Sequence, residues 1–194
     1  IDRILKVWYD SFRAKTQLPT ELSQLKDQLF FDQDTLDKWR NWRVGLKGKV
    51  GAVTIGGAID DALVTPNGCI SPLDYKTRGS APKTDGSEYY GHQMDIYALL
   101  FKLNGRTPSR RAYLAYYWPR QADKFPLKPS DDVDITSMGI CFDCKSFELE
   151  ALPERAEQLI VDAEKCIAGD IPQVNPSCGY CVYLVSKDLI PCSP

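Results

Sequence analysis

The sequence has no long hydrophobic run, no internal repeat and no low-complexity tract. No stretch approaches the roughly eighteen consecutive apolar residues of a membrane-spanning helix, and the start of the chain lacks the layout of a signal peptide. These absences predict a soluble, intracellular, cytoplasmic protein without a membrane partner. At 194 residues the chain can form one domain with a substantial core and a small appendage.

The seven cysteines of such a chain argue against a disulfide framework and favour free thiols or metal ligation. Cys141 and Cys144 lie in a strand-like stretch, where residues three apart point to opposite faces, so we expect ordinary packing residues. Cys178 and Cys181 lie among prolines and a glycine, which predicts irregular structure. Both thiolates could bind one metal there, with Cys192 as a third ligand, or all three could be free cysteines.

The formal net charge of −2 hides a strong segregation of charge along the chain. Residues 1–37 carry −2, residues 38–128 carry +8 and residues 129–194 carry −8. A polyanionic substrate would account for the basic block, although any one of its cations can be ordinary solvated surface charge. Its basic residues include Arg40, Arg43, Lys47, Lys49, Arg78, Lys83, Arg106, Arg110 and Arg111.

Two predicted strands and the turn between them form the most informative part of the sequence. Residues 58–65 and 69–77 are rich in apolar and β-branched residues, and Pro66-Asn67-Gly68 between them is a turn signal. A three-residue loop with Gly68 in the left-handed conformation would close this hairpin.

Two acidic residues of this hairpin form a candidate metal site. The three-residue loop places Asp60 opposite Asp74, and Lys76 joins them because strand side chains repeat every two residues. A two-residue Asn67-Gly68 loop would instead place Asp61 opposite Asp74. In either register like charges face each other, which destabilises a hairpin, whereas a divalent cation between the carboxylates would turn repulsion into coordination.

The order of the other predicted elements indicates a mixed α/β fold with a central sheet. Apolar spacing predicts a helix over residues 1–13 and a second from a capping Asp32 through Trp39, Trp42 and Val44 to Gly45. Gly48 and Gly51 are expected to end this second helix. The later segments are a polar loop (78–86), a helix (87–103), strands (110–119 and 139–151) and a helix (153–169). We expect residues 1–170 to form the main domain and residues 171–194 a cysteine-containing tail.

Three motifs in this order resemble a known family: Gly57-Ala58-Ile59-Asp60, then Asp74-Tyr75-Lys76, then Gln93 and Tyr97 on the third helix. The chain resembles the PD-(D/E)xK nuclease superfamily, and most of all its RecB-like branch of helicase-associated and CRISPR-associated exonucleases. The motifs cover roughly residues 50–120, and the element order covers most of the chain. The resemblance implies a restriction-endonuclease-like core, a central mixed β-sheet flanked by helices.

The resemblance also implies roles for the hairpin residues. Asp60 and Asp74 would bind Mg²⁺ or Mn²⁺ together with the carbonyl oxygen of Tyr75, because hard cations prefer oxygen ligands. Lys76 would position or polarise the attacking water and help to neutralise the charge that develops on the phosphate.

Further family features match this sequence in part. Gln93 and Tyr97 would contact the substrate strand, and Arg78 in the following loop would also bind substrate. The first helix commonly supplies a histidine or an acid, but the only histidine here is His92, which leaves an acid such as Asp2. The three C-terminal cysteines named above would be ligands of a 4Fe-4S cluster, but the upstream fourth cysteine of the branch is absent from this sequence.

Together these patterns predict a metal-dependent DNA nuclease, a RecB-like exonuclease that acts on DNA ends or single strands. Its partners would be DNA and a helicase or CRISPR-type protein. Two other interpretations stay open at this stage. One is a catalytically inactive nucleic-acid-binding module with a structural metal in the tail, and the other is a purely structural α/β domain.

Overall fold

The computed structural model describes residues 1–120, 141–170, 172–187 and 189. The chain divides into two compact units, residues 1–158 and residues 159–194. The described helices are α1 (Asp2–Arg13), α2 (Gln33–Arg40), α3 (Ser87–Leu103), α4 (Pro153–Ala168) and α5 (Gly179–Ser186). The described strands are β1 (Gln28–Leu29), β2 (Leu46–Val50), β3 (Val53–Gly57), β4 (Asp61–Val64), β5 (Ile70–Thr77), β6 (Arg111–Pro119) and β7 (Phe142–Glu150).

Among these described helices, none has the length and apolar content that a bilayer crossing requires.

A five-stranded mixed sheet with the order β1-β4-β5-β6-β7 forms the centre of the first unit. The pair β5 and β6 is parallel, and the other neighbours are antiparallel. The parallel pair needs a crossover, which α3 supplies between the two strands. This is the predicted mixed α/β architecture, a restriction-endonuclease-like core with helices on a central sheet.

The two faces of the sheet are covered by different helices, and alternate residues of each central strand point to one face or the other. On one face α1 packs through Leu5 and Tyr9 against a cluster that includes Leu73 and Tyr75 of β5. On the other face α3 packs through Met94 and other apolar residues against even-numbered residues of β6. Because side chains alternate along β5, Asp74 and Lys76 lie on the α3 face.

The hairpin between β4 and β5 has the predicted three-residue loop. Asp61 pairs with Leu73, and the backbone N–H of Thr65 donates to the carbonyl of Cys69 over 2.9 Å. Gly68 has φ +79°, the left-handed conformation that a bulged loop requires. Extending this register by one residue places Asp60, which immediately precedes β4, opposite Asp74. The two-residue loop, with Asp61 opposite Asp74, is therefore wrong.

The prediction of a second helix reaching Gly45 is wrong at its C-terminal end. The helix α2 has Asp32 as its capping acid but ends at Arg40, because Asn41 is extended (φ −85°, ψ 110°). The next residues form the antiparallel pair β2 and β3, which the sequence did not reveal. Gly48 ends no helix; it lies in β2, where a side chain would collide with Leu103 of α3.

The later elements agree with their predictions to within a few residues, apart from residues 121–140, which lie outside the described part. Two cysteine predictions need correction. Cys141 is exposed because it precedes β7, whereas Cys144 packs against the α1 side of the core as expected. The segment before α5 is irregular as predicted from residue 172 to its N-cap Cys178, but Cys181 lies within the helix.

A buried carboxylate on β4 joins α1 and α2 to the central sheet. The side chain of Asp61 is 0% exposed, and Nη2 of Arg13 lies 2.7 Å from each of its oxygens. Nη2 of Arg40 lies 2.9 Å from Oδ2, and the hydroxyl of Tyr75 donates to the same oxygen over 2.5 Å. Paired and hydrogen-bonded in this way, the buried charge is compensated.

Arg40 extends this network to two further groups. Its Nη1 lies 2.9 Å from both carboxylate oxygens of Asp10, so two acids balance Arg13 and Arg40. Its Nε donates to the carbonyl oxygen of Asp60 over 2.7 Å. The backbone of Asp60 is therefore held by the same guanidinium that neutralises Asp61.

We predict that Asp61→Asn lowers the free energy of unfolding by about 3 kcal/mol, because two buried arginines lose their common anion. Asp37→Asn is the matched control, since its 61% exposed side chain lies 3.7 Å from Arg40 and should contribute less than about 1 kcal/mol. Urea denaturation of both variants measures the difference. Equal losses would contradict the assignment of the network.

Candidate active site

Asp60 lies where the chain enters the central sheet, and each of its two carboxylate oxygens has one contact that fixes it. The backbone N–H of Tyr75 donates to Oδ2 over 3.1 Å, and the Lys6 ammonium of α1 lies 3.2 Å from Oδ1. The side chain of Asp60 is 22% exposed, so it faces solvent at the rim of the site. Its orientation depends on the β5 backbone and on the first helix.

Asp74 is the more buried of the two acids, with 4% of its side chain exposed. The Lys76 ammonium lies 2.5 Å from its Oδ2 atom. The pKa of Asp74 is raised to about 6, chiefly by burial and in addition by the negative charge of Asp60, while the cation of Lys76 and the amide of Gln93 act to lower it. The two carboxylates thus repel one another across the hairpin, as expected from their register.

Gln93 connects the acid and the lysine of β5 to α3. Its Nε2 donates to Oδ1 of Asp74 over 3.0 Å and to the Tyr97 hydroxyl over 2.7 Å, while its Oε1 accepts from Lys76 over 3.2 Å. The Tyr97 hydroxyl in turn donates to the carbonyl of Ala58 over 2.9 Å. Every polar atom of the Gln93 amide has a partner, and these partners define its orientation.

Two side chains at the site were not assigned a role from the sequence. Lys6 lies between Asp60 and Asp2, 3.0 Å from the latter, and these two acids hold the pKa of Lys6 above its usual value although burial acts to lower it. The i, i+4 spacing of Asp2 and Lys6 on the polar face of α1 was the available signal. Tyr90 of α3 lies with its ring centre 4.2 Å from the Lys76 ammonium.

The predicted substrate residue Arg78 lies just beyond β5 and is exposed. Its guanidinium is 5.8 Å from the ring centre of Tyr116, within the range of a cation–π contact. Its backbone N–H donates to the carbonyl of Tyr117 over 2.9 Å. The structure thus holds the backbone of Arg78 beside β6 and leaves its side chain outside the hydrogen-bonded group of Asp74, Lys76 and Gln93.

The donor set suits a hard divalent cation. Two carboxylates repel each other, and the fully buried Oδ2 of Asp74 has no hydrogen-bond donor besides its ion-pair contact with Lys76. Within the described ranges, no cluster of three or more His, Cys, Asp or Glu side chains has metal-binding geometry. A cation here would therefore rely on Asp60 and Asp74 together with a backbone carbonyl and water.

The fold and this group of acids, lysine and glutamine are those of a nuclease domain. The model of the PD-(D/E)XK nuclease superfamily matches residues 2–185, and the chain belongs to this superfamily. No curated protein matches the chain. A solved structure titled "Crystal structure of SSO0001" is similar with a TM-score of 0.42 and 19% identity, over 94% of this chain. The chain spans 66% of the length of that structure.

The high pKa of Asp74 predicts that the acid site destabilises the fold above pH 6 when no metal is bound. The folded state favours the protonated carboxyl, so the contribution of Asp74 to stability is greatest below its usual pKa of 3.8 and is lost as the pH rises through about 6. We therefore expect Asp74→Asn to raise the free energy of unfolding at pH 8 by on the order of 2 kcal/mol, with a smaller gain at pH 4.

Thermal unfolding in EDTA across this pH range measures the effect. Asp95→Asn is the contrasting control, because Arg155 and the backbone N–H of Leu152 hold that buried carboxylate over 2.5 and 2.7 Å, so its loss should destabilise the protein at both pH values. An Asp74→Asn variant less stable than wild type at pH 8 would contradict the prediction.

Proposed function

We propose that the protein is a metal-dependent deoxyribonuclease, and that it acts as a RecB-like exonuclease on DNA ends or single strands. The observation that carries the proposal is the hydrogen-bonded group formed by Asp74, Lys76 and Gln93 beside Asp60. Phosphodiester hydrolysis needs a bound cation, an activated water and a positive charge near the scissile phosphate, and this group offers residues for each.

In this proposal Asp60 and Asp74 hold Mg²⁺ or Mn²⁺ with the carbonyl oxygen of Tyr75. The bound cation would act as a Lewis acid on the phosphate and lower the pKa of a bound water. Contacts with the buried residues around Asp61 hold the ligands in place, since Arg40 binds the carbonyl of Asp60 and the Tyr75 hydroxyl donates to Asp61. Both ligand-bearing segments are thus tied to one buried network.

Lys76 is the cation that we assign to the attacking water and to the phosphate. Its ammonium has three donors, of which Asp74 and Gln93 accept two. The third has no hydrogen-bond acceptor among the described residues and would serve an incoming oxygen beside the Tyr90 ring. Gln93 fixes this orientation because its own amide is bonded to Asp74 and Tyr97. Gln93 and Tyr97 therefore position the reacting residues in addition to any contact with the substrate strand.

The Gln93 and Tyr97 pair, with both side chains bonded into the site, supports the RecB-like branch. The basic block and the exposed Arg78 support DNA as the substrate, and a helicase or CRISPR-type protein as a partner follows from the branch alone. Complete Asp, Asp and Lys positions argue against a catalytically inactive binding module.

Purified protein with Mn²⁺ or Mg²⁺ should cleave DNA, and Asp74→Ala or Lys76→Ala should reduce the rate by at least about 10²-fold, the usual cost of losing one electrostatic group at a reacting centre. Lys102→Ala on the same helix as Gln93 is the matched control, because this lysine is exposed and lies 3.5 Å from Glu157. Its rate should equal that of wild type.

End-labelled linear DNA and covalently closed circles, each single-stranded and double-stranded, separate the classes of activity in the same experiment. Degradation of linear molecules with survival of the circles is the expected result for an exonuclease. Cleavage of the circles would make the protein an endonuclease. Equal cleavage by wild type, Asp74→Ala and Lys76→Ala would refute the proposed function.

We also propose the 4Fe-4S cluster in the C-terminal tail as a separate assignment. Backbone N–H groups of Cys181 and Tyr180 lower the pKa of Cys178, which favours the thiolate that binds metal. Cys192, the third proposed ligand, lies outside the described residues. The tail can thus offer at least one activated thiolate beside a second cysteine at the start of α5.

Protein purified without oxygen should be coloured, with a broad visible absorption band that dithionite bleaches, and should contain iron and acid-labile sulfide. Cys178→Ala should lose the band and the iron. Cys166→Ala should retain both, because this exposed cysteine lies on α4 outside the proposed ligand set. Colourless wild-type protein without iron would show that the cluster assignment is wrong.

A further inference from the structure

The segment between α2 and β3 presents an exposed tryptophan among basic residues. Trp42 is 78% exposed, although the indole is one of the largest apolar side chains. The guanidinium carbon of Arg43 lies 5.3 Å from the centre of this ring. Lys47 and Lys49 follow on the exposed face of β2. We call Trp42, Arg43, Lys47 and Lys49 the Trp42 surface.

The cations of the Trp42 surface have no acidic partner among the residues that the structure describes. In the part of the chain that the structure describes, no carboxylate lies within ion-pair distance of Arg43, Lys47 or Lys49, whereas Arg40 nearby contacts several. The residues of β3 opposite the two lysines are Gly56 and Thr54, which are uncharged. The surface therefore attracts an anion and stabilises the fold little.

The Trp42 surface is anchored to the residues around Asp60. Arg40, whose Nε donates to the carbonyl of Asp60 over 2.7 Å, precedes Trp42 by two residues, which limits the separation of their Cα atoms to about 7 Å. The backbone N–H of Ile59 donates to the carbonyl of Trp39 over 3.2 Å on the other side of Arg40. Trp42 is thus two residues from a side chain that binds the backbone of the proposed metal ligand.

We propose that the Trp42 surface binds single-stranded DNA next to the acid site, with a base stacked on Trp42 and phosphates bound by Arg43, Lys47 and Lys49. This inference rests on the proposed function, because it supplies the path by which a strand reaches Asp60. An exposed aromatic ring beside unpaired cations is the combination that binds an unpaired strand, in which bases are free to stack and phosphates carry the charge.

A duplex suits this surface less well. Its bases are stacked on one another, so a single indole has no free base face to contact, and only the lysines and the arginine could contribute. The Trp42 surface thus predicts a preference for strands with unpaired bases in addition to electrostatic attraction.

Binding in EDTA tests the surface without cleavage and without the metal site. A single-stranded oligo(dT) titrated into the full chain should quench tryptophan fluorescence, because Trp42 is more exposed than Trp8 at 47% or Trp39 at 7%. Trp42→Phe should lose most of the quenching. Trp8→Phe, the matched control on α1, should keep it.

Substitutions then separate stacking from charge. Trp42→Leu, which keeps apolar area without a π-face, should weaken binding by roughly five- to hundred-fold, the range for one stacked base. Lys47→Glu with Lys49→Glu should flatten the salt dependence of the affinity by at least about 1.4 in the log–log slope. Lys26→Glu should leave the slope unchanged, because Lys26 is not part of the Trp42 surface. It precedes Asp27, which is paired with Arg111 at the start of β6.

The proposed binding of DNA to the Trp42 surface is refuted if Trp42→Phe keeps the quenching, or if Trp42→Leu and the double lysine variant bind oligo(dT) like wild type. Equal quenching by a duplex of the same length would refute the preference for single strands. Because the altered residues are exposed, each variant should keep the unfolding midpoint of wild type. If the double lysine variant unfolds at a lower midpoint, Arg43→Glu supplies a second test of charge. Binding in EDTA without cleavage in Mn²⁺ would support DNA binding at the Trp42 surface and refute the proposed nuclease activity.

Discussion

The burial of Asp61 between two arginines is the constraint on which the rest of the site depends. A carboxylate with no solvent contact must be neutralised, and Arg13 of α1 and Arg40 of α2 are the groups that do so. Both helices are thereby fixed against β4. Since Arg40 also binds the carbonyl of Asp60, the position of the first proposed metal ligand is a consequence of how its neighbour is buried.

Asp74, which faces the site, differs from Asp61 because its buried charge is only partly compensated. Asp74 is buried beside Lys76 and opposite Asp60, and its raised pKa records that the surroundings do not fully compensate its charge. Asp60 and Asp61 are adjacent in sequence but differ in role, because one lies on the solvent side of the sheet edge and the other within the core. Consecutive positions thus carry one carboxylate that is compensated in the core and one that faces solvent, and only the solvent-facing carboxylate is accessible to a cation.

The sequence was most informative where local rules decide the structure. Pro66-Asn67-Gly68 predicted the hairpin and allowed two loop lengths, and the structure has the three-residue loop that pairs Asp60 with Asp74. Prediction failed at Trp42 and Gly48, where tertiary contacts decide. The helical spacing of Trp39 and Trp42 continues past Arg40, but the guanidinium of that residue is bound to the sheet and the next residue is extended. A glycine that resembled a helix end lies instead beneath α3.

The sequence by itself determined the class of fold and the hairpin, because periodicity and turn residues are local properties of the chain. The resemblance of its motifs to a known family singled out the acids, the lysine and the glutamine that the structure brings together. Only the tertiary structure decided which of Asp60 and Asp61 is available to a cation, since burial depends on arginines that lie 48 and 21 residues away from Asp61. It also decided the placement of Lys6 at the site and the exposure of Trp42, because packing between distant elements has no local pattern.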